Sequence, residues 1–251
     1  MGSDFAEYKV LPSLKEAAMA SADSICDIVN KNPQAVIFYA TGNTYIPVYK
    51  NIAEKIKRGE ADFSKTYAFH LDEYYPCKTS DPYSFVSYMR KNVFMPFKIK
   101  QNNCFEINGD TKNPDEEVKR YRKLINEYPA DLVILGIGPG GHIGFNEAGS
   151  SKDSRFRLVK CSKETIYRDR VERGQNTPNK AFTMGVADIL KGSQILLTAF
   201  GKSKRQLMRK TLSGKVNSSC PASYLRLVGK KVTIFLDKDA NPFQQTAESH
   251  M

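Results

Sequence analysis

Nowhere among its 251 residues does the chain carry the roughly 18 unbroken apolar residues that a membrane-spanning helix needs. The opening "MGSDFAEYKVLPSLKEAAMA" lacks both an apolar signal core and an Arg-rich transit pattern. A soluble cytoplasmic protein without a membrane partner is therefore expected. Cysteine is scarce and scattered: the five, at 26, 77, 104, 161 and 220, never fall as C-x-x-C. That spacing argues against a disulfide framework and against a zinc site. There is no G-x-x-x-x-G-K-S/T phosphate loop. "GIGPGG" fits the dinucleotide fingerprint only by letters, since it lies mid-chain with a histidine directly after it and no clear βαβ unit behind. No cofactor is expected. A helix-turn-helix, a ribonucleoprotein motif and a tract of aromatics interleaved with basic residues are also missing, which argues against nucleic acid as partner.

What is present is apolar material for one large core, 41% of residues, and a formal net charge of +11. A chain of this length fits a single domain, 1–251. The positive charge favours anionic partners, but it is spread along the sequence, densest in "GKSKRQLMRK" at 201–210. A phosphorylated small molecule suits that pattern better than a polyanion.

Apolar runs of strand length alternate with helical periodicity, the signature of βα units around a mostly parallel sheet six or seven strands wide. The reading gives a helix over 13–30 capped by Ser13 and a strand over 35–40. A helix over 46–59 closed by Gly59 and a strand over 66–71 running into the loop "DEYY" come next. Helices follow at 84–94 and 114–128, then the continuous apolar strand "DLVILGIG" at 131–138. "KAFTM" and "SQILLTAFG" read as strands, "SKRQLMRKTLSG" as a helix and "KKVTIFLD" as a closing strand. Sheet-like sequence is expected from about residue 35, after one helix. The polar, basic stretch 154–179 has no clear structure and is a candidate lid.

In open α/β sheets ligands bind beyond the carboxyl ends of strands, and four loops lie at such ends. Thr41-Gly42-Asn43-Thr44 has the small residues that let backbone wrap a phosphate, or serves merely as a turn. Asp72 and Glu73 are adjacent, so one could face a pocket while its neighbour caps a helix. A partly buried aspartate suits removal of a carbon-bound proton. In "GIGPGGHIGFNE" five glycines give His142 open access to a ligand, with Glu147 placed to return and orient the imidazole. Gly201-Lys202-Ser203-Lys204 opens a helix, where a lysine reaches an anion drawn to the helix end.

Together "ATGNT", "FHLDEYY", "GIGPGGHIGFNE" and "FGKSK", in this order, resemble the glucosamine-6-phosphate and galactosamine-6-phosphate deaminase (isomerase) family. The late "CPASYLRL" at 220–227 leans toward the galactosamine branch. The resemblance runs from about residue 8 to 237. It implies a modified Rossmann-like three-layer αβα fold and a cofactor-free, metal-free aldose-to-ketose isomerisation with loss of ammonia. His142 would open the pyranose ring with support from Glu147, and Asp72 would move the C2 proton to C1. Thr41, Gly42, Asn43, Thr44, Gly141 and Lys204 would hold the sugar phosphate together with Arg168, for which Arg170 and Arg173 are neighbouring rivals. One position departs from the family pattern: Gly140 stands where an acidic residue usually precedes the Gly-His pair.

Two other readings share these residues. One is a 6-phosphogluconolactonase-like hydrolase, in which the histidine activates water. The other is a sugar-phosphate-binding protein without turnover. The preferred epimer and the oligomeric state, a homo-oligomer included, are open at this level.

Overall fold

The computed structural model describes Phe5 and residues 7–243. Its ten strands are β1 (Glu7–Leu11), β2 (Val36–Tyr39), β3 (Tyr67–His70), β4 (Asp72–Tyr75), β5 (Cys104–Phe105), β6 (Leu132–Leu135), β7 (Arg157–Lys160), β8 (Lys180–Thr183), β9 (Gln194–Ala199) and β10 (Val232–Asp237). Its α-helices are α1 (Leu14–Lys31), α2 (Ile46–Lys57), α3 (Phe85–Met89), α4 (Pro114–Glu127), α5 (Lys163–Arg173), α6 (Val186–Leu190) and α7 (Lys202–Ser213).

Seven strands form one parallel sheet in the order β1-β10-β9-β6-β2-β3-β5. The central strands β2 (VIFY) and β6 (LVIL) are buried at every position, as strands covered on both faces must be. From β2 the chain builds outward through β3 to β5, then returns to the other flank of β2 with β6 and builds the opposite way. The loops after β2 and β6 consequently diverge and leave a crevice at the carboxyl ends of the strands. The four strands β9, β6, β2 and β3 are contiguous around this switch point. The four loops singled out in the sequence follow those four strands.

Local chemistry sets the helix starts. Ser13 accepts the Glu16 N–H at 3.3 Å and donates its hydroxyl to the Glu16 carboxylate at 2.9 Å, which begins α1. Asn113 caps α4, followed by Pro114 and three acidic residues in the first turn. Gly59, with φ of 75°, follows α2 as expected of a left-handed terminator.

Several elements differ from the sequence reading. β1 precedes the first helix, so sheet begins at residue 7 rather than near 35; as an edge strand with mixed exposure it carries no apolar run. "DEYY" is a strand, not a loop. It is β4, which pairs antiparallel with β8, itself paired with β7, in a separate three-stranded sheet. "KAFTM" is a strand as expected, but in this second sheet, because a four-residue apolar run says nothing about its partners. The stretch 154–179 contains β7 and α5, and Ser162 caps α5 by accepting the Thr165 N–H at 3.1 Å. Its sequence, KETIYRDRVER, puts charge on both faces and so hides its helical period. No described helix is long and apolar enough to cross a membrane.

Candidate active site

A cavity of about 340 Å³ opens at the switch point, lined by residues from all four loops and by α5. Thr41, Gly42, Asn43 and Thr44 line it, as do Asp72, His142, Arg168 and Lys204. Residues chosen from separate parts of the sequence thus share one wall.

The turn after β2 is opened by Gly42 at φ 115° and tightens into a single helical turn before α2. The Tyr88 hydroxyl, from α3, donates to the Gly42 carbonyl at 2.8 Å and fixes this turn.

Asp72 sits where the chain leaves the main sheet for the small one. Its carboxylate is 6% exposed and accepts the Thr41 hydroxyl at 3.1 Å. Burial pushes its pKa up to about 7, with the Glu73 charge adding to the rise; the Thr41 hydrogen bond and the Arg173 charge oppose it. Glu73 points elsewhere: it accepts from the backbone N–H groups of Phe85 at 2.9 Å and Val86 at 2.8 Å, at the start of α3. The adjacent acids therefore divide as their spacing suggested, one in the cavity and one at a helix start.

Beneath Asp72 lies His70, a residue the sequence reading did not use. The Ile107 N–H donates to its Nε2 at 2.9 Å, so Nδ1 carries the proton and donates to the Asp72 carbonyl at 2.9 Å. Burial lowers the His70 pKa to about 4, and the ring stays neutral. It acts as a fixed strut that holds the Asp72 backbone against the β5 exit. Only coordinates reveal this, since a buried histidine has no local signature.

His142 is held by shape. A Cβ on Gly138 would overlap the imidazole Nε2, so the ring occupies the volume that any side chain at 138 would need. The Gly138 N–H donates to the His142 carbonyl at 3.0 Å and closes the loop beneath the ring. Nδ1 meets the Glu147 carboxylate at 3.3 Å, which also accepts the Ser162 N–H at 3.3 Å. Burial works against the Glu147 charge, yet the His142 contact prevails and its pKa falls to about 2. Glu147 lies behind the imidazole rather than at the cavity wall. With Nδ1–H directed at Glu147, Nε2 is the nitrogen left to accept or return a proton. Removing that charge while keeping the shape, in Glu147→Gln, is expected to lower kcat by about 10²-fold with little change in KM, as steady-state kinetics would read.

Gly141 departs from its expected place. It does not line the cavity; its α-carbon faces the Cys220 sulfur, with no room for a side chain between. Gly136, Gly138 and Gly144 of the same loop do line the cavity, and a Cβ on Gly144 would lie 2.8 Å from the Thr183 hydroxyl and 3.6 Å from the Asp72 carboxylate.

Among the three arginine rivals, Arg168 and Arg173 line the cavity, while Arg170 faces a separate surface groove with Lys163 and Tyr167. Arg168 forms a two-pronged ion pair with Asp169 at 2.9 and 2.6 Å, and Asp169 also accepts the Tyr74 hydroxyl at 2.7 Å. The Lys204 ammonium donates to the Ile137 carbonyl at 2.7 Å. Burial and then the Arg168 charge lower its pKa, as expected for two cations sharing one end of a cavity.

Residues 12–234 match the profile of the family described as glucosamine-6-phosphate isomerases and 6-phosphogluconolactonases. The chain is 35% identical over 229 residues to a glucosamine-6-phosphate deaminase of Thermoanaerobacter, covering 90% of each protein. It is 36% identical over 234 residues to one of Clostridium botulinum, covering 92% of this chain and 96% of that one. Among solved structures it is similar to a monomeric glucosamine-6-phosphate deaminase, with a TM-score of 0.89 and 32% identity over 93% of this chain and 98% of that one. The 6-phosphogluconolactonase of Trypanosoma cruzi shares the fold, with a TM-score of 0.77, at 17% identity over 96% of this chain and 97% of that one. The chain belongs to the glucosamine-6-phosphate isomerase and 6-phosphogluconolactonase family, on its deaminase side.

Proposed function

We propose that the protein converts glucosamine 6-phosphate to the ketose 6-phosphate and ammonia, with His142, Glu147 and Asp72 as its proton-handling groups. The observation that carries this reading is the meeting of a buried aspartate and an oriented imidazole in one cavity whose other end gathers Lys204 and Arg168. His142 Nε2 relays the proton that opens the pyranose ring, and Glu147 stabilises the imidazolium formed. Asp72 then takes the proton from C2, and the C–H electrons form a C1–C2 double bond while the C1 carbonyl electrons move onto oxygen, which takes a separate proton from water to become a hydroxyl. Return of that proton to C1 leaves an imine at C2, and water adds to it to release ammonia. A base with its pKa near 7 both accepts and returns a proton at neutral pH.

The turn at 41–44 and the start of α7 are assigned to the phosphate, with Lys204 and Arg168. In Lys204→Met, loss of one charge-assisted hydrogen bond of about 1.5–3 kcal/mol should raise KM roughly 10- to 100-fold while kcat at saturation falls far less. An equal fall in kcat would place Lys204 at the reacting carbons instead. The stretch 154–179 is assigned as the lid, since α5 forms a wall of the cavity and its first turn is tied to Glu147.

A lactonase reading shares the fold and the family description, but it leaves a buried base in the cavity unused, and the similar lactonase structure is at 17% identity where the deaminase relatives are at 35–36%. Ammonia release from glucosamine 6-phosphate and galactosamine 6-phosphate, measured beside ring opening of 6-phosphogluconolactone, tests the proposal. Lactone opening without ammonia from either sugar would overturn it.

A further inference from the structure

Arg173 closes α5 and lines the cavity alongside Asp72. Its situation differs from that of the other two cations there. Arg168 is engaged by Asp169 and Lys204 by a backbone carbonyl. Arg173 has no ion-pair partner among the described residues; its guanidinium lies 4.7 Å over the Phe85 ring, and its Nε is buried without an acceptor. A guanidinium that lines a cavity with no carboxylate or carbonyl of its own keeps its donors available to a bound acceptor. Stacking on Phe85 holds the planar donor fork in place in the meantime.

The charges of the two arginines reach different neighbours, with Tyr74 common to both. The Arg168 charge acts on Lys204. The Arg173 charge acts on Asp72, Tyr74 and Tyr88. On the deaminase reading, the atoms beside Asp72 are C1 and C2 of the open-chain sugar. When the C2–H pair moves into the C1–C2 bond, the C1 carbonyl electrons move onto oxygen, and negative charge develops there until a proton is added.

We propose that Arg173 is a catalytic residue, distinct from the phosphate anchors, which donates hydrogen bonds to the C1 oxygen as Asp72 removes the C2 proton. This rests on the deaminase reading and adds to it the group that stabilises the developing oxyanion. Because Arg173 rides on α5, it also makes the reaction depend on that helix being in place against the cavity.

The test compares Arg173→Met, which keeps a stem over Phe85, with Arg173→Lys and Arg168→Met. The readings are kcat and KM for ammonia release from glucosamine 6-phosphate, and calorimetric titration with inorganic phosphate. Arg173→Met should lower kcat by about 10²-fold, the loss typical of one oxyanion donor, while phosphate affinity stays within about twofold of wild type. Arg173→Lys should recover part of kcat. Arg168→Met should weaken phosphate binding and raise KM.

The acidic limb of kcat/KM should move to higher pH in Arg173→Met, since a cation that favours the Asp72 carboxylate is gone. The other groups facing Asp72 stay in place: Thr41 from the β2 turn, Tyr49 from α2, Glu73 on its own strand, Tyr121 from α4, His142 from the glycine loop and Asp169 from α5. A loss of phosphate affinity in Arg173→Met equal to that in Arg168→Met would overturn the proposal, as would unchanged kcat. Absence of ammonia release from the wild type would instead count against the deaminase reading itself, and this inference would fall with it.

Discussion

Asp72→Asn is expected to lower ammonia release by about 10³-fold or more while the sugar phosphate still binds, because the substitution keeps size and the Thr41 contact but removes the proton acceptor. The same substitution should stabilise the protein above neutral pH. The sign follows from the raised pKa. An ordinary aspartate is charged above about pH 4, so the unfolded chain has lost this proton throughout the range where the folded protein, with a pKa near 7, still holds it. Folding is therefore progressively disfavoured by this residue as pH rises from about 4 to about 7, and the penalty is fully present above that. Thermal melts of the two proteins should agree near pH 4 and separate by pH 8, with the asparagine form melting higher. Lost activity with an unchanged or lower melting point at pH 8 would mean that Asp72 is not a strained base.

Gly138→Ala carries the second large effect. The backbone at 138 has φ −99° and ψ −178°, which alanine adopts without strain, so the added methyl acts only through what it meets. What it meets is the His142 ring. The imidazole must leave its place beside Glu147, and kcat should fall by about 10²-fold or more, comparable to loss of the histidine itself. Gly140→Ala is the matched control. It has open space around its α-carbon but φ of 66°, so it should lose on the order of 1 kcal/mol of stability with most activity retained. Similar kinetics for the two alanine variants would remove the argument that shape alone positions His142.

The four strand-end loops, and the positions of Asp72, His142, Glu147 and Lys204 on three of them, were legible in the sequence because their signals are local. A glycine-rich turn after an apolar run, or two adjacent acids at a strand end, says where a loop lies and what it could bind. The resemblance then tied these loops to one reaction. Elements whose identity depends on distant partners were not legible. β4 looks like a loop because its first residue is the cavity aspartate and its pairing strand comes about a hundred residues later. α5 hides its period because it turns Arg168, Asp169 and Arg173 toward the cavity where an ordinary helix would turn apolar side chains. The resemblance implies a place for Gly141 at the sugar phosphate, yet its α-carbon faces Cys220 from a different part of the chain. His70 and Arg173 owe their interest to a fixed tautomer and an uncompleted donor, neither of which leaves a trace in the order of residues.

On the deaminase reading one aspartate, Asp72, removes the hydrogen on C2 of a phosphorylated amino sugar. Glucosamine 6-phosphate carrying deuterium at C2, incubated with the wild type and with Asp72→Asn, tests it directly. The account predicts ammonia from the wild type together with a ketose phosphate whose deuterium has left C2 for C1 or for water, and almost no ammonia from the variant. Ammonia released with an aldose phosphate that keeps its deuterium on C2, as direct displacement of the amine would give, or ammonia released at an undiminished rate by Asp72→Asn, would contradict it.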